Sequence, residues 1–278
     1  EGTRWFRSPV AWRFDEEKVR QLTALRRAEQ ARMQEYMRTS TCLMRFLATE
    51  LDDPYAARCG RCANCAGPFV DETIDQQLVT QAAEFLRRTR VIIEPRKLWP
   101  VEALPQFGFK GKIAGDAMEP GRALSIWGDG GWAELVRKGK YEDGRFDDEL
   151  VAACATLIKD WSPSPRPSWV TCIPSRNHPS LVPDFARRLA GRLGLPFHAA
   201  IEKVRDNAPQ KAMENSVQQA RNLDGVFRAG PGQVKSGAVL LIDDIADSRW
   251  TLTVAGALLK RAGCAAVFPL VLADSSHA

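Results

Sequence analysis

Along the C-terminal half of the chain, apolar runs alternate with stretches of helical period. Trp169 to Ile173, Pro196 to Ile201, Ala238 to Ile242 and Ala265 to Leu272 are apolar and strand-like. Between them, Leu181 to Leu193 and Thr251 to Ala262 have the spacing of helices, and Gly194 is well placed to stop the first. Phe146 to Trp161 predicts another helix. Apolar runs alternating with helices predict a largely parallel sheet. The run WSPSPRPSW, Trp161 to Trp169, reads as a stiff connection.

Upstream the pattern changes. Ile74 to Arg88 predicts an amphipathic helix with Leu78, Ala82, Phe85 and Leu86 on one face. Val91, Ile92 and Ile93 are β-branched and predict a strand. EPRKLWP and QFGFKGKIAG follow, rich in Pro and Gly, and then a helix in GGWAELVRKGK. Helices alternating with short strands and a Gly-rich hairpin fit a winged-helix module. Further upstream, MQEYMRTSTCLMRFLATEL has Met37, Met44, Phe46, Leu47 and Leu51 at roughly helical spacing, which places Cys42 in a helix.

The expectation is a multidomain α/β protein. A helical module spans 1–70, a winged-helix-like module 71–144, and a Rossmann-like parallel-sheet domain 145–278. The 278 residues have room for two or three domains. No apolar run approaches the ~20 residues that span a bilayer, so a membrane partner is not expected. The first residues, EGTRWFRSP, lack the apolar region of a signal peptide, and a cytoplasmic location is expected. The chain opens on Glu1 rather than Met, so it reads as a processed product or an excised piece. The net charge of +5 permits a polyanionic partner.

Four of the seven cysteines sit together: Cys42, Cys59, Cys62 and Cys65, spaced C-x16-C-x2-C-x2-C. An odd, clustered set does not suit a secreted disulfide framework. Four soft thiolates suit a closed tetrahedral zinc site, and Gly60 suits the tight turn between them. A redox C-x2-C pair needs only two cysteines and usually adjoins a βαβ pattern. Free structural thiols are the other alternative. Structural Zn2+ is therefore the expected cofactor, pinning a long helix to a loop with little core of its own. Cys154, Cys172 and Cys264 lie in apolar surroundings and are expected in the core.

The four-Cys spacing and the preceding EQARMQEYMRTSTCLMRFL resemble the zinc-binding subdomain of RecQ-family DNA helicases. The resemblance covers roughly the first quarter of the chain. It implies DNA as a partner and a helicase motor upstream. The chain has no P-loop of the form G-x4-G-K-[ST]; GFKGK and RKGK lack the spacing. ATP hydrolysis is therefore not expected of this chain, which reads as the C-terminal portion of a larger RecQ-like helicase. RecQ helicases often carry a winged-helix module directly after the zinc subdomain. Arg96, Lys97, Lys110, Lys112, Arg122, Arg137, Lys138 and Lys140 are the candidate DNA-phosphate contacts. The bland alternative is a solvated surface. Phe107, Phe109, Trp127 and Trp132 either stack on bases or fill the core.

VLLIDDIADSRWT, Val239 to Thr251, is a strand ending in two carboxylates, followed by a polar loop and a helix. Asp243 and Asp244 can accept from ribose hydroxyls, and the free N–H groups of the helix start can meet a phosphate. Ordinary strand-end and capping carboxylates explain the same residues equally well. SRNHP after Ile173 falls at a second strand end, where ligands of parallel sheets bind. The stretch resembles the signature of type I phosphoribosyltransferases. IPSRNHP, DNAPQKAM and ARNLDGVF upstream add a likeness to the ComF-like branch, over roughly the last 110 residues. The resemblance implies phosphoribosyl pyrophosphate as ligand and Mg2+ bridging its pyrophosphate. It assigns the ribose to Asp243 and Asp244, loop hydroxyls to Ser248 and Thr251, and the pyrophosphate loop to Ser175 and Arg176. Arg249 stands where the family has a loop glycine, and Asp247 adds charge where an anion should bind. Arg249 either offers its own donors to the phosphate or crowds it. The catalytic residues are not legible. Two readings follow: an accessory region with a phosphate- or nucleotide-binding domain, or an active phosphoribosyltransferase with the zinc module as scaffold.

Overall fold

The structure, a computed structural model, describes residues 13–68, 70, 73–89, 91–208, 213, 215–230 and 232–276. The chain divides into two compact units, Glu1–Ile74 and Asp75–Ala278.

The first unit contains α1 (Glu16–Arg38), α2 (Leu43–Glu50) and α3 (Ala63–Ala66). Asp15 starts α1 by accepting from the Lys18 N–H at 3.0 Å. The expected helix through Cys42 is broken. Thr39 is extended, with φ −66° and ψ 140°, and closes α1 by donating its N–H to Glu35. Cys42 is the N-cap of α2 and its sulfur accepts from the Arg45 N–H at 3.4 Å. Thr39, Ser40 and Thr41 are the physical cause, since short hydroxyl side chains favour caps over helix interiors. Arg32 ties the two helices together. It donates to Glu50 (Nε to Oε2, 3.1 Å) and lies over the Phe46 ring at 4.8 Å. None of the three helices has a buried residue.

The second unit is mixed α/β. Its elements are α4 (Gln76–Arg87), β1 (Val91–Ile93), β2 (Gly121–Ile126), α5 (Ala133–Lys138), α6 (Asp148–Trp161), β3 (Trp169–Cys172), α7 (Leu181–Leu193), β4 (Ile201–Lys203), α8 (Ser216–Arg221), β5 (Phe227–Ala229), β6 (Val239–Ala246), α9 (Trp250–Arg261) and β7 (Val267–Asp274). The main sheet has the order β1-β2-β7-β6-β3. β2, β7, β6 and β3 are parallel, and β1 joins antiparallel. β4 and β5 form a separate antiparallel pair.

Side chains alternate along β6. Val239 and Leu241 join the layer that holds Trp250, Val254 and Ala255 of α9. Leu240 and Ile242 join the layer that holds Leu150 and Cys154 of α6 and Phe185 and Leu189 of α7. Helices therefore cover both faces, as the apolar runs require.

Two expectations are corrected. Residues 71–144 are not a separate winged-helix-like module, because β2 pairs in parallel with β7, with Ala123 opposite Val271. Gly121 shows how close that pairing is: a Cβ there would lie 2.5 Å from the Pro269 carbonyl oxygen. The link from Trp161 to Trp169 lies inside this unit, as the expected bounds place it. It joins α6 to β3, and its last residue, Trp169, is 1% exposed. Pro196 to Ile201 is not a strand: Phe197 makes one parallel bridge to Val170, and β4 begins only at Ile201. The short segments of 71–144 pointed to a separate module, but pairing in the sheet joins them to the α/β unit.

Candidate functional site

The four cysteines of the first unit converge. One ligand atom from each of Cys42, Cys59, Cys62 and Cys65 lies within 4.8 Å of the others. The Cys42 and Cys62 sulfurs are 3.9 Å apart. Metal–sulfur bonds of about 2.3 Å in a tetrahedron give edges of about 3.8 Å, so the donor set fits such an ion. Local structure builds the cluster. Cys42 caps α2, Cys62 caps α3, and Gly60 holds a positive φ of 72° between Cys59 and Cys62. The Asn64 side-chain amide donates to the Thr39 and Thr41 carbonyls, each at 2.7 Å, and so fastens the loop to the helix break.

Donors surround the sulfurs. Cys42 Sγ accepts from the Cys59 N–H at 3.2 Å, and Cys59 Sγ from the Arg61 and Cys62 N–H groups at 3.4 and 3.3 Å. Arg58 Nε donates to Cys65 Sγ at 3.4 Å and brings a positive charge to the thiolates. The Cys59 and Arg45 amides hold the Cys42 thiol down at about 6. Thiolate is the form that ligates metal, so these amide donors favour the ligating form at Cys42. The other cysteines are buried as expected. Burial pushes the Cys172 thiol up to about 12 and that of Cys264 to about 11.

In the second unit, Asp243 and Asp244 lie within the carboxyl half of β6. Burial, and then the Asp244 charge, hold the Asp243 carboxyl well above the usual carboxylate range. Asp244 is not free: Lys140 Nζ stands 2.7 Å from its Oδ2. Lys140, a candidate DNA contact from the sequence, thus belongs to this site.

The loop after β6 is short. Arg249 is the N-cap of α9, with φ 65° and ψ 4°, the left-handed conformation that glycine adopts freely. Arg249, where the resemblance implies glycine, thus holds a backbone shape that suits glycine. Its side chain turns to the Glu94 carbonyl, Nη1 to O at 3.4 Å, and its Nε is buried without a partner among the described residues. Arg96 braces the same loop. Its Nε and Nη2 donate to the Ser248 carbonyl at 2.9 and 2.6 Å, and its guanidinium lies 4.0 Å over the Trp250 ring. Burial, and then the Arg249 charge, pull the Arg96 guanidinium below its ordinary value. Thr251 is the second residue of α9 and is partly exposed. After β3, Ser175 Oγ accepts from the His178 N–H at 3.3 Å, and Arg176 pairs with Asp206 at 2.6 Å.

The remaining cations do not form one face. Arg122 is partly buried, 5.1 Å over the Trp161 ring. Arg137 pairs with Glu134 and Glu142, and Lys138 with Asp143. Lys97, Lys110 and Lys112 are exposed and lie together, because Leu98 bridges antiparallel to Lys112 and the Ile113 N–H donates to the Lys97 carbonyl. The aromatics fill packing positions. Phe109 is buried and stacks on Trp99 at 4.3 Å, with Phe107 5.2 Å from Phe109. Trp132 lies under the Arg87 guanidinium at 4.5 Å, and Trp127 meets Tyr141 edge-on.

Among solved structures, the chain is weakly similar to adenine phosphoribosyltransferase from Leishmania tarentolae, at 19% identity and a TM-score of 0.31. The match covers 45% of this chain and 55% of that one, so the chain spans about half the length of the enzyme it matches. A score that low carries no argument for activity. The parallel sheet with helices on both faces is itself compatible with a Rossmann-like phosphoribosyltransferase fold. No family model matches the sequence, and no curated protein matches it. Among the described residues, no helix is long and apolar enough to cross a membrane.

Proposed function

We propose that this chain is an accessory C-terminal region of a RecQ-like DNA helicase. It would comprise a structural zinc module and a phosphoribosyltransferase-like domain that binds a phosphate or nucleotide. The observation that carries this reading is the gathering of four sulfurs within 4.8 Å by the spacing C-x16-C-x2-C-x2-C. The spacing supplies the resemblance, and the convergence supports Zn2+ as the ion. Nucleotide hydrolysis belongs, in this reading, to a motor upstream in the parent chain, and the location is cytoplasmic.

DNA contact falls to Lys97, Lys110 and Lys112, which are exposed and carry no ion pair among the described residues. The reading of an active transferase, with Mg2+ and phosphoribosyl pyrophosphate, is less favoured. Asp244 is already paired with Lys140, and the Arg249 side chain occupies the loop where a phosphate would approach.

Filter binding of duplex DNA across a salt series tests the DNA contact. Each phosphate contact contributes a slope of about −0.9 in log affinity against log salt. The Lys97→Ala/Lys110→Ala/Lys112→Ala variant should flatten the slope by up to about 2.7. An affinity indifferent to salt in the native chain would remove DNA as the partner.

A further inference from the structure

At the C-terminal ends of α6 and α7 the surface turns inward to form a cavity of about 870 Å3. It lies beside residues 162–168, which lead into the amino end of β3. β3 and β6 are parallel, and Asp243 and Asp244 stand in the carboxyl half of β6. The cavity and the acidic pair are therefore at opposite ends of the sheet.

The cavity has two kinds of lining. Ile158, Leu193 and Leu195 make an aliphatic surface, backed by the fully buried Leu240. Lys159, Arg166 and Arg192 supply three exposed cations. None of the three makes an ion pair among the described residues, and no carboxylate lines the cavity.

A cation in the last turn of a helix complements the partial negative charge there, which accounts for Lys159 on α6 and Arg192 on α7 singly. It does not account for Arg166, which belongs to the link rather than to a helix. Nor does it account for three like charges around one concavity with nothing to neutralise them. Such charges repel, and an anion between them relieves the repulsion. The volume is that of a small-molecule site, typically about 300–1,000 Å3. No aromatic ring lines it, so a nucleobase would have nothing to stack on.

We infer that this cavity binds a small, soluble, phosphorylated aliphatic molecule. Its phosphate meets Lys159, Arg166 and Arg192, and its chain lies against Ile158, Leu193 and Leu195. Three positive charges match a dianionic phosphate better than a single carboxylate. The site is distinct from the acidic pair and holds or fails independently of the phosphoribosyl reading.

Calorimetry of the full chain with n-hexyl phosphate, inorganic phosphate and hexanol tests it. Hexyl phosphate should bind at one site, tighter than inorganic phosphate, with no binding of hexanol at the same concentrations. The Arg166→Ala/Arg192→Ala variant alters only exposed side chains and should weaken hexyl phosphate at least about tenfold. An Arg20→Ala/Arg26→Ala variant, which removes the same charge from α1, should leave the affinity unchanged. The inference is overturned if the native chain does not bind hexyl phosphate up to millimolar concentration. It is equally overturned if both variants bind as the native chain does.

Discussion

The two units of this chain solve the same problem in opposite ways. Of the described residues in 13–74, the buried apolar ones are Cys42 and Cys62, both metal-ligand candidates. In the second unit Val239, Leu240, Leu241 and Ile242 are each fully buried, one strand covered on both faces. The first unit has helices without a core, held at their ends by the converging cysteines, amide donors and the Asn64 clasp. The second has a core that tolerates prolines, short strands and a left-handed arginine. Where apolar burial is missing, a metal held by these cysteines would supply the folding energy.

Removing the metal breaks that comparison most directly. Apparent binding energies of structural zinc sites are about 10–16 kcal/mol, as large as a domain's whole stability of about 5–15 kcal/mol. Chelation, or Cys62→Ser, should abolish the helical circular dichroism contributed by residues 16–50. Six of the eight tryptophans lie in 75–278, so tryptophan emission reports mainly the second unit and should persist. Retained helicity after chelation would mean that the first unit folds without its ion.

The converse experiment acts on the sheet. Leu241 is fully buried in β6. Leu241→Ala should cost about 2–5 kcal/mol in urea unfolding followed by tryptophan emission. Metal content per chain should stay the same. A variant that lost both stability and metal would show that the two units do not hold their structures separately.

The same physics explains what could be read in advance. Val91–Ile93, Leu181–Leu193 and the β6 run were legible because burial wrote continuous or periodic apolar patterns into them. The four cysteines were legible because metal ligation needs fixed residue types at short spacing. The place of β2 was not, because its partner β7 lies some 148 residues away and pairing leaves no local mark: Arg122 faces Leu270. The partners of Lys140 and Arg96 were not legible for a similar reason. A cation on a surface and a cation reaching Asp244 or the Ser248 carbonyl read alike in sequence. The break before Cys42 did have a local signal, the run Thr39, Ser40, Thr41, which the helical spacing around it masked.

Arg249 sharpens the comparison at its finest point, a strained residue that the well-packed unit tolerates. A left-handed arginine costs about 1–2 kcal/mol of backbone energy, which Arg249→Gly relieves. Glycine raises the entropy of the unfolded chain, and the variant loses the contact to Glu94. These oppose, so stability should change by less than about 1 kcal/mol. The ligand effect should be clearer. The arginine turns its donors to Glu94 and buries its Nε, so it closes the loop rather than offering it to a phosphate. Calorimetry with phosphoribosyl pyrophosphate and Mg2+ should show tighter binding in Arg249→Gly, by about tenfold or 1.4 kcal/mol. Weaker binding would make Arg249 a phosphate ligand that moves to meet its anion. The loop would then be a working site rather than one that an arginine has closed.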